Sequence, residues 1–233
     1  MHLPYGKNQI PILFENDSCL VLNKPAGLPV QGGEGVRVSL DFILSEKIEP
    51  RPLLVHRLDK DTSGIILVAK TKEAAAKFSA LLAGGEIKKD RQVIKQYLGI
   101  CAGSPEAGVI REKLTIRGKE REAETFFRVI SAAPIDGITC SVLELELGTG
   151  RMHQIRRHLA QIGHPLLGDD KYGDFSLNKK LRKSMGIKHL LLHASRLVIP
   201  PMPEFLPDGL DLDAPPPGYF FILPSLTPPP HFQ

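Results

Sequence analysis

Apolar and polar positions along the chain fall into runs whose periods mark out the elements. Cys19-Leu20-Val21-Leu22-Asn23 is a continuous apolar run of strand length, closed by the turn signal Lys24-Pro25-Ala26-Gly27. Ile65-Ile66-Leu67-Val68-Ala69 is a second such run. Over residues 71–83 the period becomes helical. Ala74, Phe78, Leu81 and Leu82 form one stripe, Thr71 caps it, Glu73 suits the positive end of the dipole and Gly84-Gly85 ends it. Residues 93–101 read as a buried strand carrying Tyr97, and 190–199 as another strand. In 140–147, Leu143, Leu145 and Leu147 alternate with Glu144 and Glu146, a strand with one apolar face. Gly148-Thr149-Gly150 then turns the chain into a helix over 152–162, with Ile155, Leu159 and Ile162 as its stripe and Gly163 and Pro165 as its stop. Residues 121–127 read as an edge strand. Strands and helices mix without regular βαβ alternation, which predicts an α+β fold with a mixed, largely antiparallel sheet flanked by helices and loops.

Composition narrows the class. A chain of 233 residues with 42% hydrophobic and 24% charged residues can bury a sizeable core. No internal repeat or long linker interrupts it, so residues 1–233 are expected to form one domain, with 224–233 as a Pro-rich tail. Eleven of the twenty prolines lie from Pro200 onward, which predicts extended backbone there, either as a recognition arm or as a strap burying Phe205, Tyr219, Phe220, Phe221 and Ile222. Cys19, Cys101 and Cys140 are widely spaced in apolar stretches and read as small buried hydrophobes in a reducing compartment. There is no CxxC pair, the first residues lack the apolar core of a signal peptide, and no run approaches the ~20 residues of a membrane span. The chain is therefore expected in the cytoplasm, away from membranes and as a monomer.

A formal net charge of +4 permits a polyanionic partner without requiring one. Locally, Lys88, Lys89, Arg91 and Lys95 cluster, as do Arg151, Arg156 and Arg157, and Lys179, Lys180, Arg182 and Lys183. Each taken singly is an ordinary solvated face; three together suit a phosphate backbone. The run His56-Arg57-Leu58-Asp59-Lys60-Asp61-Thr62-Ser63-Gly64 is the densest chemistry in the chain. It delivers one carboxylate, Asp59, to the start of an apolar strand between Arg57 and Lys60. A carboxylate held ionised while partly dry can act as a nucleophile or base; the same composition also describes a solvated salt-bridge network. Arg156 stands next to Ile155 at the edge of a buried helix face, where a guanidinium needs a partner, and Asp59 is the natural one. His153 and His158 lie five apart, a poor fit to helical metal ligands. Tyr97 either stacks on a flat ring or handles a proton, or it simply packs. The glycine-rich 31–35 stretch is weak as a phosphate loop, and Gly163–Gly173 either lines a site or is a plain connector.

In this order these pieces resemble the RluA-type pseudouridine synthase family. The residues that carry the resemblance are Asn23-Lys24-Pro25-Ala26-Gly27, His56-Arg57-Leu58-Asp59 with Thr62-Ser63-Gly64, Lys95-Gln96-Tyr97 and Ala123-Glu124-Thr125. They continue with Gly150-Arg151-Met152-His153-Gln154-Ile155-Arg156 and His158, Gly163-His164-Pro165-Leu166-Leu167-Gly168-Asp169, Leu191-Leu192-His193-Ala194 and Ala214-Pro215. The resemblance runs from about residue 12 to residue 223. It implies a pseudouridine synthase catalytic domain with its cleft across the sheet, isomerising uridine in ribosomal or transfer RNA without metal or organic cofactor. It implies that Asp59 is the catalytic aspartate, that Tyr97 packs on the base and removes the C5 proton, and that Arg156 is the ionic partner of Asp59. Arg57 is implied to enter the RNA stack or hold its backbone, and Thr62, Arg151, His153 and Gln154 are expected to bind RNA. Gly99 stands where members often have alanine. No S4-type RNA-binding domain is expected ahead of the pattern. The residues alone fit that chemistry: cleaving a glycosidic bond needs a carboxylate beside the anomeric carbon, and a stacked uridine must first be flipped out.

Two other readings compete. A binding module without activity on the same scaffold would need neither Asp59, Tyr97 nor Arg156. A two-carboxylate glycoside hydrolase would need a second positioned acid, for which Asp61 or Asp169 stand available.

Overall fold

The structure is a computed structural model that describes residues 2–5, 8–83 and 93–221. In chain order it contains strands β1 (His2–Tyr5), β2 (Asn8–Glu15) and β3 (Cys19–Lys24), helix α1 (Leu40–Lys47), strands β4 (Leu53–Leu54) and β5 (Ser63–Ala69), and helix α2 (Lys72–Leu82). Strands β6 (Ile94–Ala102), β7 (Gly108–Ile110), β8 (Leu114–Ile116), β9 (Lys119–Arg121), β10 (Thr125–Ile135) and β11 (Ile138–Leu147) follow. Helices α3 (Gln154–Gln161) and α4 (Phe175–Met185), strands β12 (Leu192–Ile199) and β13 (Leu210–Asp213) and a 3-10 turn at Gly218–Phe220 complete the order. This is the expected α+β architecture. The chain divides into two compact units, Met1–Ile94 with Ala194–Pro215, and Lys95–His193 with Pro216–Gln233.

In the first unit β1, β2, β3 and β5 form an antiparallel run, β12 follows β5, and β13 pairs antiparallel with β12. The β3–β5 register sets Cys19 opposite Ala69 and Lys24 opposite Gly64. Cys19, Val21, Ile65 and Leu67 pack with Ala74, Phe78 and Leu82 of α2 and with Leu197 and Ile199 of β12. Leu20, Leu22, Ile66 and Val68 on the other face are buried too. Burial on both faces is why these strands read as unbroken apolar runs. Thr71 caps α2 by accepting from the Ala74 N–H; the Gly84-Gly85 stop lies outside the described residues. Helix α1, capped by Ser39 on the Phe42 N–H, was not legible in the sequence, since only Leu40, Ile43 and Leu44 are buried on its two turns.

In the second unit β6, β11, β10 and β7 run antiparallel, and β8–β9 is a separate hairpin. Leu98, Ile100, Cys140 and Val142 pack with Leu177 and Leu181 of α4, whereas Cys101, Leu143 and Leu145 pack with Ile155 and Leu159 of α3. The two helices therefore cover opposite faces of this sheet. Three expectations need correction. Helix α3 starts at Gln154, because His153 takes a left-handed conformation with φ +52° that cannot continue a helix backward. Ile162, expected in its stripe, is exposed; buried Arg156 and His158 share the inner face instead. Residues 121–127 are no edge strand: the segment splits between β9 and β10, and β10 there lies between β11 and β7. The stretch after Pro200 carries strand β13, and Phe220 is wholly buried while Phe221 is exposed. Ile222 and the 224–233 tail lie outside the described residues. No helix among the described residues is long and apolar enough to cross a membrane.

Candidate active site

In the first unit, the loop between β4 and β5 holds Asp59. His56 Nε2 accepts the Leu67 N–H at 2.9 Å, tying the start of the loop to the middle of β5. The Thr62 N–H donates to the Asp59 carbonyl at 3.2 Å, making a tight turn directly after the carboxylate. The Lys60 carbonyl accepts from the Gly27 N–H at 2.9 Å and from Lys24 Nζ at 3.0 Å. Lys24 is wholly buried, and its ammonium also donates to the carbonyls of Pro25 at 2.9 Å and Leu28 at 3.0 Å. Three protons thus meet three carbonyls, and one side chain pins the 24–28 turn to the Asp59 loop. Burial pushes the Lys24 ammonium down to about 7, against the pull of the Asp61 and Asp59 carboxylates. Asp59 itself is half-buried.

The turn out of the loop is sterically dictated. Gly64 has φ +112°, and a Cβ there would lie 2.2 Å from the Ala194 carbonyl oxygen, so only glycine lets β5 start at this place. Thr62 and Ser63 are buried, and the Thr62 hydroxyl has no hydrogen-bond partner among the described residues. Arg57 is exposed and donates from Nη1 to Gln31 Oε1 at 3.2 Å, which links it to the glycine-rich 31–35 loop.

In the second unit the expected residues gather around the start of α3. Gln154 is buried at the first position of α3, and its side chain bonds to groups outside the helix. Its Oε1 accepts from Thr149 Oγ1 at 2.7 Å and the Arg151 N–H at 3.0 Å. Its Nε2 donates to the Glu124 carbonyl at 2.8 Å and to Thr125 Oγ1 at 3.0 Å. These bonds turn its amide inward. Thr125 also meets His158 Nδ1 at 3.0 Å, while His158 Nε2 lies 3.1 Å from the Glu112 carbonyl. A carbonyl only accepts, so Nε2 carries the proton and Nδ1 accepts from Thr125. Burial lowers the His158 pKa and keeps this neutral tautomer. The Ala123-Glu124-Thr125 string is therefore the seat on which α3 rests.

Arg156 is 4% exposed and forms a two-pronged pair with the wholly buried Asp169: Nε to Oδ2 at 2.8 Å and Nη2 to Oδ1 at 2.7 Å. Burial works to raise the Asp169 pKa, but hydrogen bonds from Arg156 and from the Tyr172 and Lys171 N–H groups outweigh it and hold the carboxyl below its usual range. A carboxylate held ionised in this way cannot supply the proton a second glycosidase acid must give. Tyr172 lies beside the guanidinium, its ring centroid 5.3 Å from Arg156 Cζ, and its hydroxyl meets His153 Nδ1 at 3.0 Å. Gly168, with φ +73°, approaches the His189 carbonyl so closely that a Cβ would lie 2.0 Å from it. Tyr97 sits half-buried on β6 opposite Leu145. Two residues before it, Lys95 has its pKa lowered by burial, and its Nζ would stand 3.8 Å from a Cβ at Gly150. Arg151 is exposed, its Nε donating to the Glu122 carbonyl at 3.2 Å. No group of three His, Cys, Asp or Glu among the described residues is placed to hold a metal ion.

Sequence reasoning missed Lys24, Asp169 and Tyr172 as site residues. Lys24 looked like part of a turn. The usable signal was its position at the end of a strand buried on both faces. Asp169 and Tyr172 stood in a loop read as either site-lining or connecting.

Comparison with known proteins decides the family. The family described as RNA pseudouridylate synthase matches residues 18–161. The chain belongs to that family. It is 37% identical over 199 residues to the ribosomal large subunit pseudouridine synthase C of Haemophilus ducreyi, covering 78% of this chain and 59% of that protein. It is 34% identical over 212 residues to the ribosomal large subunit pseudouridine synthase D of Zymomonas mobilis, covering 81% and 64%. The chain thus spans about three fifths of the length of these relatives. Among solved structures, human RNA pseudouridylate synthase domain containing 4 superposes with a TM-score of 0.70 at 27% identity, covering 90% of this chain and 89% of that one. Human RNA pseudouridylate synthase domain containing 1 gives 0.72 at 25% identity, covering 96% and 89%. The family is the one the HRLDxxTSG and GRxHQIRxH strings resemble.

Proposed function

We propose that this chain is an RNA pseudouridine synthase of the RluA type, with residues 1–233 as its catalytic domain. The observation that carries the reading is that a single continuous family match, residues 18–161, contains Asp59, Tyr97 and Arg156 together. In this reading the Asp59 carboxylate promotes cleavage of the N1–C1′ bond of a flipped-out uridine. The uracil turns within the site, C5 bonds to C1′, the C5 proton leaves to Tyr97, and N1 regains a proton. Arg156 supplies positive charge to the reaction as the bond breaks. Arg57, Thr62, Arg151 and His153 serve the RNA, Arg57 and Arg151 as exposed cations and His153 through its place at the head of α3. Gln154 contributes by fixing that head. The enzyme works as a cytoplasmic monomer without metal or organic cofactor.

The relatives named above are ribosomal large subunit enzymes, which favours ribosomal RNA over transfer RNA as substrate. The test uses transcripts of both kinds carrying tritium at uridine C5. Tritium release at a single ribosomal position, with pseudouridine recovered there, is the expected result. RNA binding with no release would support the inactive module instead, and free uracil would support a hydrolase.

A further inference from the structure

We propose that Asp169 is a positioning residue for the reaction, acting through Arg156, with Tyr172 as the second jaw of the clamp. This rests on the reading of Arg156 as a catalytic residue. Asp169 takes Nε and Nη2 of the guanidinium, and a planar fork held at two nitrogens has its third, Nη1, fixed in direction as well. The tyrosine ring at 5.3 Å limits movement out of that plane. The clamp is itself anchored. Asp169 Oδ1 accepts the Lys171 and Tyr172 N–H groups, both at 2.9 Å. Its carbonyl accepts from Asn178 Nδ2 at 2.8 Å, and Asn178 Oδ1 takes the Gly168 N–H at 2.8 Å. Asn178 lies on α4, so the loop is tied to a helix packed on the opposite face of the sheet from α3.

Stability alone gives a weak reason for this arrangement. A buried ion pair adds little over a well-packed apolar pair of the same volume. A guanidinium with a part in the reaction does need it, because small misplacements in a reacting geometry cost large factors in rate.

The test measures the single-turnover rate and the RNA Kd for wild type, Asp169→Asn, Arg156→Gln, the double variant and Tyr172→Leu, below the melting temperature of each. Asp169→Asn and Arg156→Gln should each slow the reaction by about tenfold or more while Kd moves less than about threefold. The double variant should be no slower than Arg156→Gln, because both changes remove one interaction. A folded Asp169→Asn protein at wild-type rate, or losses that multiply in the double variant, overturns the clamp. Should Asp169→Asn not fold, Tyr172→Leu decides, since it leaves the ion pair in place. A loss of about three- to tenfold is expected, and a wild-type rate overturns the proposal. If Arg156→Gln itself reacts normally, the role of Arg156 fails and the clamp fails with it. A slow Arg156→Gln beside a normal Asp169→Asn removes the clamp alone.

Discussion

At the scale of single residues, the site depends on buried polar groups that tie one segment to another. Lys24, which joins the 24–28 turn to Lys60, is the clearest case. Replacing it by Met leaves the carbonyls of Pro25, Leu28 and Lys60 without their shared donor while relieving the burial of a cation. We expect Lys24→Met to lose about 1–3 kcal/mol in urea unfolding and to lose activity, because the Asp59 loop is no longer pinned. An unchanged midpoint and rate would show that the ammonium is dispensable. His158 gives a pH dependence with a definite sign. Its pKa in the folded protein lies below the ordinary 6.5. The unfolded chain therefore binds the proton first on acidification, and stability should fall as pH drops below about 6.5. Midpoints between about pH 7.5 and about pH 5 check this, with a shallower fall expected in His158→Gln, which stays neutral. The place of Asp59, in a charge-dense loop running straight into an apolar strand, was legible in the sequence. Lys24 and Asp169 were not, because the partner that gives each its place in the site, Lys60 for the one and Arg156 for the other, lies where the local pattern does not reach.

At the scale of elements, apolar periodicity located β3, β5, α2, β6, β11 and β12 within a few residues, since each has a long stripe or run facing a core. Helices α1 and α4 escaped it. Helix α4 buries only Leu177 and Leu181, and its Lys179, Lys180, Arg182 and Lys183 read as a basic cluster rather than a helix. The start of α3 was misplaced because His153 is left-handed and breaks the helix, while Gln154, a polar residue, is buried at its first position. The entry into β5 makes the sharpest test at this scale. Gly64→Ala drives a Cβ to 2.2 Å from the Ala194 carbonyl at a backbone angle that L-residues avoid. It should destabilise by about 3 kcal/mol or more, read from chemical unfolding. A neutral outcome would mean that the β5 entry is not built as described.

At the scale of the whole molecule, the family and the α+β class were legible from two specific strings and the mixed order of elements. The partition of the chain into two units was not, because β12 passes from one to the other without any break in composition: Leu192 and His193 belong to the second, Ala194 onward to the first. With a net charge of +4 and exposed basic residues on α4, RNA binding should weaken with salt. The logarithm of the association constant should fall linearly with log salt by about 0.7–0.9 per phosphate contacted, measured by titration at several ionic strengths. A flat salt response would remove the phosphate backbone from the account. The central claim is narrower than any of these. It is that the Asp59 carboxylate does the chemistry while the rest of the chain presents it. The direct measurement is pseudouridine formation by Asp59→Asn on an RNA that wild type converts, with folding and RNA Kd measured in parallel. The account predicts no product from a folded variant that binds with near wild-type Kd. Pseudouridine formed at the wild-type rate would contradict it.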